Sequence, residues 1–336
     1  MFCHLEWKIL VTGSSGHLGE AIIRTLQHRK IDYVSVDLKP SPFTTHIGSI
    51  VDKLFVDEVM RGVDYVIHTA TLHKPHIVTH SHQDFIATNI TGTLNLLEAA
   101  EANGGKGFIF TSTTSTFGDA LRPEAGSPAT WITEETQPIS KNIYGMTKLA
   151  AEDLCRLFYR NQNLPCLILK TSRFFLEVDD DPQVRDQYSD LNIKALEYLY
   201  RRADIEDIVE AHLLAIEQVA DIGFEKYIIS ATSPFQPKDL PLLNIDAPEV
   251  VRHYYPSIDA IFEANNWQLL PTVGRVYVNE KARKQLGWQP KYDFQYVLHC
   301  LVKGKDFRSE LARQVGVKGY HEEVFEDGLY PIAKHS

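Results

Sequence analysis

Residues 8–26 read KILVTGSSGHLGEAIIRTL, and this stretch decides the fold. A short apolar run, residues 8–12, stops at a glycine, and from Leu18 to Leu26 apolar residues recur at helical spacing. Between them lies Gly13-Ser14-Ser15-Gly16-His17-Leu18-Gly19. Glycines in that position permit a tight turn, let a ligand approach the backbone, and let the helix pack close to the strand. The first turn of the helix adds unpaired N–H groups and the positive end of a dipole, so the turn is a candidate cradle for a pyrophosphate.

Outward from this turn the same alternation continues. Tyr33–Asp37 (YVSVD) reads as a second strand and residues 64–69 (DYVIHT) as a third. A long helix is predicted over residues 84–102, with Phe85, Ile86, Ile90, Leu94, Leu97 and Ala100 along one face. Asn103-Gly104-Gly105 stops it. A strand follows over residues 107–112, a helix over 142–160 and a strand over Cys166–Thr171. Apolar strands alternating with helices imply a parallel sheet covered on both faces, and right-handed crossovers make it doubly wound, of Rossmann type.

After Arg173 the rhythm breaks. Residues 177–182 read as an acidic loop, 205–219 as a helix and 226–230 as a strand. Pro234, Pro237, Pro241, Pro248 and Pro256 mark an irregular region. A strand at 275–278 and helices at 280–286 and 294–302 complete the reading. Residues 1–172, with 203–230 returning to them, form the expected nucleotide-binding domain; 173–202 and 231–336 form a smaller substrate-binding lobe.

Composition restricts the function classes. Apolar residues make up 44% and charged residues 23% of the 336, the balance of a protein with a substantial core. The net charge of −10 argues against a nucleic-acid partner. Cys3, Cys155, Cys166 and Cys300 have neither zinc nor disulfide spacing, which favours a reducing, cytoplasmic setting. The reading contains neither a signal segment nor a membrane span.

Two features carry chemistry. Asp37 ends the second strand about 20 residues beyond the glycine turn, where a carboxylate accepts the hydroxyls of an adenosine ribose and repels a 2′-phosphate. NAD is therefore expected in preference to NADP. Tyr144 and Lys148 lie at i and i+4 on one helix face. A free phenol, with a pKa of about 10, is a poor base at neutral pH, and a lysine ammonium one turn away favours its ionised form.

TGSSGHLG, Asp37, DYVIHTA, NITGTLNLLEAA, FIFTSTTSTFGD and YGMTK together resemble the extended short-chain dehydrogenase/reductases. Within that group the resemblance is to the NAD-dependent epimerase/dehydratase family that includes UDP-galactose 4-epimerases. It is dense over residues 8–174, looser across RRADIEDIVEAH and KARKQLGWQP, and absent from the last stretch of the chain. The resemblance implies that Tyr144 is the acid/base and that Lys148 holds the nicotinamide ribose. Thr113 would bond the reacting oxygen, with Thr111 and Ser112 as alternatives. Gly13, Ser15, Gly16, His17, Leu18 and Gly19 would surround the diphosphate, Ser49 and Ile50 the adenine, and Ala70, Thr71 and Thr171 the rest of the cofactor. Asn89 would steady the backbone of the site, and His73 would touch substrate. It further implies a homodimer through the Tyr144 helix, whose outer face is assigned Leu149, Leu154, Leu157 and Phe158.

Departures from the family pattern narrow the substrate. Thr114, Ser115 and Thr116 stand where sugar dehydratases carry an acidic pair, so dehydration is not expected. Ser49 replaces the usual Asp. Only about 27 residues separate Arg173 from Arg201-Arg202, less than a nucleotide-gripping segment needs. Arg173, Arg201 and Arg202 are candidate ligands for a diphosphate, carboxylate or sugar phosphate; pairing with Asp179–Asp181, Asp204 or Asp207 is the alternative. His76 and His80 have metal-compatible spacing, but no neighbouring carboxylate or cysteine completes a set, so no metal is expected. Three functions stay open. They are epimerisation of a nucleotide-activated sugar, NAD-dependent oxidoreduction of a smaller polyol, sugar acid or ketone, and non-catalytic NAD sensing.

Overall fold

The computed structural model describes residues 7–124, 126–319, 321 and 325; Cys3 lies outside them. Seven parallel strands form the central sheet: β1 (Ile9–Thr12), β2 (Tyr33–Asp37), β3 (His46–Ile47), β4 (Tyr65–His68), β5 (Gly107–Thr113), β7 (Cys166–Thr171) and β8 (Phe224–Ile229). Their order is β3-β2-β1-β4-β5-β7-β8. It reverses direction between β1 and β4, and ligands of such sheets bind where strand order reverses, at the carboxyl ends. A separate pair, β6 (Thr130–Ile132) with β9 (Arg275–Tyr277), belongs to the smaller lobe.

The helices cover the sheet because their apolar stripes need burial. One face carries α1 (His17–Arg29) and α8 (Ile205–Ile222), whose Ala21, Ile22, Leu26, Ile208 and Ala211 are completely buried against β1, β5 and β7. The other carries α2 (Lys53–Val59), α4 (Gly92–Ala102) and α5 (Ile143–Gln162) over Leu10, Phe108, Phe110 and Ile168. The helix expected over 84–102 runs from α3 (His82–Ile86) into α4 through one π-helical turn, Ala87–Thr91.

Several elements differ from expectation for local reasons. Pro182, expected to belong to the acidic loop, instead opens a helix, α6 (Pro182–Gln187), because the Asp181 side chain caps it through Gln183 N. The proline-rich region contains helices Ala247–Tyr254 and Ile258–Ala264. Pro248 lies in the first turn of the former, where proline has no hydrogen bond to lose, so it starts a helix rather than breaking one. The helices α2 and α7 (Asp190–Glu197) are too short to display a period and went unread.

Domain boundaries also shift. Ala129 and β6 precede residue 172, yet Ala129 is packed in the lobe core with Phe235, Val276 and Phe294. Conversely, Ala282, Leu286, Trp288, Ala312 and Val315, expected in the lobe, join the core beneath α1 and α8. Trp288 is fully buried and its indole Nε1 donates to Asp207 O on α8 at 2.8 Å. The Asp207 carboxylate in turn accepts Lys291 N and Tyr292 N at 2.9 and 3.0 Å. Among the described residues no helix is long and apolar enough to cross a membrane.

Truncating the buried indole removes packing and leaves a cavity. Trp288→Ala is expected to lower unfolding free energy by about 3–5 kcal/mol, read from the midpoint of a denaturant titration.

Candidate active site

The glycine turn is built by backbone conformations that a side chain would prevent. Gly13 has φ +73°, and a Cβ there would lie 2.8 Å from Ala70 N. A Cβ on Gly19 would come within 2.0 Å of Gly13 O, so only glycine lets α1 begin this close to β1. The N–H groups of His17, Leu18 and Gly19 have no preceding helical turn to bond and are donors for an anion. Asp37, at the end of β2, accepts Ser15 N at 3.0 Å and Lys39 N at 2.9 Å, one bond to each carboxylate oxygen. Each oxygen keeps a further acceptor site for a hydroxyl.

From this turn a cleft of about 650 Å³ runs along the carboxyl edge of the sheet. Gly13, Ser15, Gly16, His17, Leu18, Gly19, Asp37, Ser49 and Ile50 line one end; Ala70, Thr71, His73, Thr171, Tyr144 and Lys148 line the remainder. Phe174, Phe175, Lys39, Lys318, Gly319 and His321 also line it and were not foreseen. The two phenylalanines carry a signal, following β7 at the sheet edge. Lys318, Gly319 and His321 carry none, since nothing in the sequence says that they approach the glycine turn.

Asn89 sits in the π turn because widening the helix by one residue turns its amide inward. Its Oδ1 accepts Leu72 N at 2.9 Å and the Thr71 hydroxyl at 3.0 Å, while Nδ2 donates to Leu72 O and Thr147 Oγ1 at 2.9 and 3.0 Å. One amide thus fastens the loop after β4 to α5, the helix that carries Tyr144.

Of the three hydroxyls at the end of β5, Thr113 is the one that hydrogen-bonds Tyr144. Thr111 is engaged with His212 Nε2 at 2.8 Å, and Ser112 donates to the buried Glu152 Oε1 at 2.5 Å. Thr113 Oγ1 accepts Ser115 N at 3.1 Å, which leaves its own proton for the phenolic oxygen. Burial raises the Tyr144 phenol to about 12, with Thr113 opposing. The expected acidification by Lys148 is therefore absent from the free protein. Lys148 Nζ is committed elsewhere, donating to Thr111 O at 2.7 Å and lying 4.0 Å from the Phe110 ring centre. Burial lowers the lysine itself to about 7, against the nearby Glu152 carboxylate, which favours its charged form.

A family model described as NAD dependent epimerase/dehydratase matches residues 9–230. The chain belongs to this family. Among curated proteins it is 28% identical, over 50% of its length, to an uncharacterised UDP-glucose epimerase of Bacillus subtilis, covering 56% of that protein. It is 30% identical to a 3-beta-hydroxysteroid dehydrogenase of Mycolicibacterium neoaurum, over 43% of this chain and 41% of that one. The chain thus spans about half the length of the curated relatives it matches. Among solved structures, a short-chain dehydrogenase/reductase superfamily protein of Agrobacterium tumefaciens with bound NAD superposes with a TM-score of 0.62 at 22% identity, covering 91% of this chain and 97% of that one.

The cleft of this family member fits a dinucleotide on its own geometry: a cradle that Cβ atoms would fill, free first-turn N–H groups, and a carboxylate with spare acceptor sites at one end. The arginines expected to meet substrate do not line it. Arg202 is 2% exposed, donates to Glu197 Oε2 at 2.8 Å and to Phe175 O at 3.0 Å. Arg173 contacts Asp179, Asp180 and Glu197 at 2.7, 3.5 and 3.3 Å, and Arg201 meets Glu197 at 2.6 Å. The pairing alternative is what the fold adopts, with Glu197 as the unforeseen centre. Three guanidinium groups hold the Glu197 carboxyl far below the ordinary range despite its burial.

His73 lines the cleft and stacks on Phe175 at 5.8 Å, while His73 N donates to His76 Nδ1 at 3.0 Å. Among the described residues no three His, Cys, Asp or Glu side chains converge as metal ligands. Ser49 and Ile50 line the far end, and Thr171 Oγ1 donates to Ser112 O at 3.1 Å. On the outer face of α5, Phe158 is only 6% exposed and belongs to the core, contrary to expectation.

Lys148 supplies a pH test. A lysine whose folded value lies near 7, against about 10.4 unfolded, destabilises the protein increasingly as pH falls between those values and by a constant amount below the lower one. The stability of Lys148→Met relative to the unsubstituted protein should therefore rise as pH drops from about 10 to 7 and flatten below, measured by denaturation of both proteins without cofactor.

Proposed function

We propose that this family member is an NAD-dependent enzyme acting at a secondary alcohol carbon of a sugar or related polyol. The observation that carries the reading is Tyr144, bonded to Thr113 and one helical turn from Lys148, in the wall of a cleft that begins at a phosphate-binding glycine turn. In this reading Gly13 to Gly19 hold the diphosphate through the backbone, since the His17 ring is already bonded to Glu177 at 2.7 Å. Asp37 holds the ribose of the adenosine, Ser49 and Ile50 face the adenine, and Ala70, Thr71, Thr171 and Lys148 border the reactive end. Bound NAD supplies reversible two-electron oxidation of the alcohol carbon.

The residues of the chain move and hold the proton. Tyr144 Oη takes the proton of the substrate hydroxyl and returns it, Thr113 donates to the oxygen that carries charge, and the Lys148 ammonium, when protonated, favours the phenolate. A phenol near 12 needs that help. Thr114 and Thr116, buried and bonded to Thr171 O and Thr113 O, supply no carboxylate for a dehydration.

The family and the Bacillus relative favour epimerisation of a nucleotide-activated sugar. A specific observation favours a second reading, oxidoreduction of a smaller polyol or sugar acid. Glu197, Asp179 and Asp180 occupy Arg173, Arg201 and Arg202, and these three were the sequence's candidate receptors for a substrate diphosphate. Net NADH formation separates the two, since epimerisation returns its cofactor unchanged. For either reading Tyr144→Phe is expected to lose about 10²–10⁴-fold in turnover while keeping NAD-induced thermal stabilisation. Full turnover in that variant would refute the role. Exposed Met146 and Leu157 on α5 support a homodimer through this helix, and a monomer in sedimentation would remove that part.

A further inference from the structure

The last described segment, beyond the family match at 9–230, occupies a place that the proposed chemistry does not use. The helix Glu310–Val315 packs beside α1 with Ala312 and Val315 buried, and Gly316, at φ +66°, turns the chain back toward the sheet edge. Lys318 N and Gly319 N then donate to Glu177 Oε1 at 3.0 and 3.2 Å. The same oxygen accepts Nε2 of His17, the first residue of α1 after the glycine turn. Lys318 Nζ reaches Glu20 Oε2, also on α1, at 2.5 Å.

Farther along, the segment meets the opposite wall. His321 Nε2 donates to Pro75 O at 2.9 Å, its Nδ1 accepts from the Thr79 hydroxyl at 3.3 Å, and its ring stands edge-on to His76 at 5.6 Å. Lys318, Gly319 and His321 all line the cleft. Lys318 and Gly319 are thus fastened on the α1 side of the cleft and His321 on the loop after β4, at the opposite wall.

We infer that Gly316–Gly319 and His321 act as a strap that completes the dinucleotide site and must detach before the cofactor leaves. The inference rests on the NAD reading above. Its latch is the buried Glu177 carboxylate, which joins three N–H donors from two parts of the chain, and hydrogen bonds to an ionised acceptor are the stronger kind. An anchored strap acts on departure more than on encounter, so its signature is a slow release rate.

The test uses NADH release. Full-length protein loaded with NADH is mixed with excess NAD, and the loss of bound-NADH fluorescence gives the rate. Two variants are compared, a chain ending at Gly316 and the full-length double substitution Lys318→Ala/His321→Ala, which removes side-chain anchors without touching the core. Release at least tenfold faster in the double variant supports the strap, and the same acceleration in the shortened chain reinforces it. Faster release in the shortened chain alone assigns the hold to the Glu177 latch, and unchanged release in both variants overturns the strap while the NAD reading stands. An unsubstituted protein that takes up no NADH overturns that reading and the strap with it.

Discussion

The site depends on how closely α1 approaches β1. That approach is set by two missing methyl groups. Gly19 lies so near Gly13 O that a side-chain carbon would overlap it, and Gly13 itself turns through a left-handed conformation against Ala70. Because the helix starts this early, its first-turn N–H groups lie at the switch point between β1 and β4, and Asp37, paired through Ser15 N, is brought beside them. Moving α1 outward by a methyl radius would separate the phosphate donors from the carboxylate and detach His17 from Glu177. Backbone geometry thus fixes the binding end, and side-chain chemistry is added to it.

The reactive end is organised by burial. Tyr144 and Lys148 are both nearly excluded from water, and each is pushed toward its neutral form: the phenol upward, the ammonium downward. A charge brought into this space by a ligand meets little dielectric screening and therefore acts strongly on both groups. The Lys170–Glu152–Lys226 cluster holds the same helix from behind, with Glu152 also accepting from Ser112. Lys170 Nζ donates to Thr116, and Thr116 to the carbonyl of Thr113. The ion cluster therefore fixes the strand end that presents the Thr113 hydroxyl, and its energetic worth lies in position more than in net stability.

Sequence was informative where a local rule had no competitor. The glycine turn, Asp37, the strands β2 and β7 and the Tyr144/Lys148 spacing are each set by neighbours in the chain, and all were legible. Thr113 was put first by resemblance alone; what occupies Thr111 and Ser112 was not legible, because His212 and Glu152, distant in sequence, claim those two hydroxyls. For Arg173 the expected pairing with Asp179 and Asp180 is observed, whereas Glu197 was overlooked although it lies only four and five residues before Arg201 and Arg202, because α7, which carries it, is too short to announce itself. The i, i+4 spacing gives the proximity of Lys148 to Tyr144 but not the direction of its ammonium, which without a ligand turns to the Thr111 carbonyl.

Glu197 also joins Arg173, just after β7, to Arg201 and Arg202, just before α8. Arg173 and Arg202 form a backbone bridge, with Arg173 N donating to Arg201 O and Ala203 N to Arg173 O. The buried carboxylate neutralises the cations that this close passage brings together. The Glu197 carboxylate, meeting all three guanidinium groups, ties the end of β7 to the chain that leads from α7 into α8. Removing that carboxylate would take from Arg202 its acidic partner and leave Arg173 and Arg201 to Asp179 and Asp180, so that positive charge would be confined where it is now balanced. With Glu197 in place the three cations meet carboxylates of the chain itself, and none of them lines the cleft.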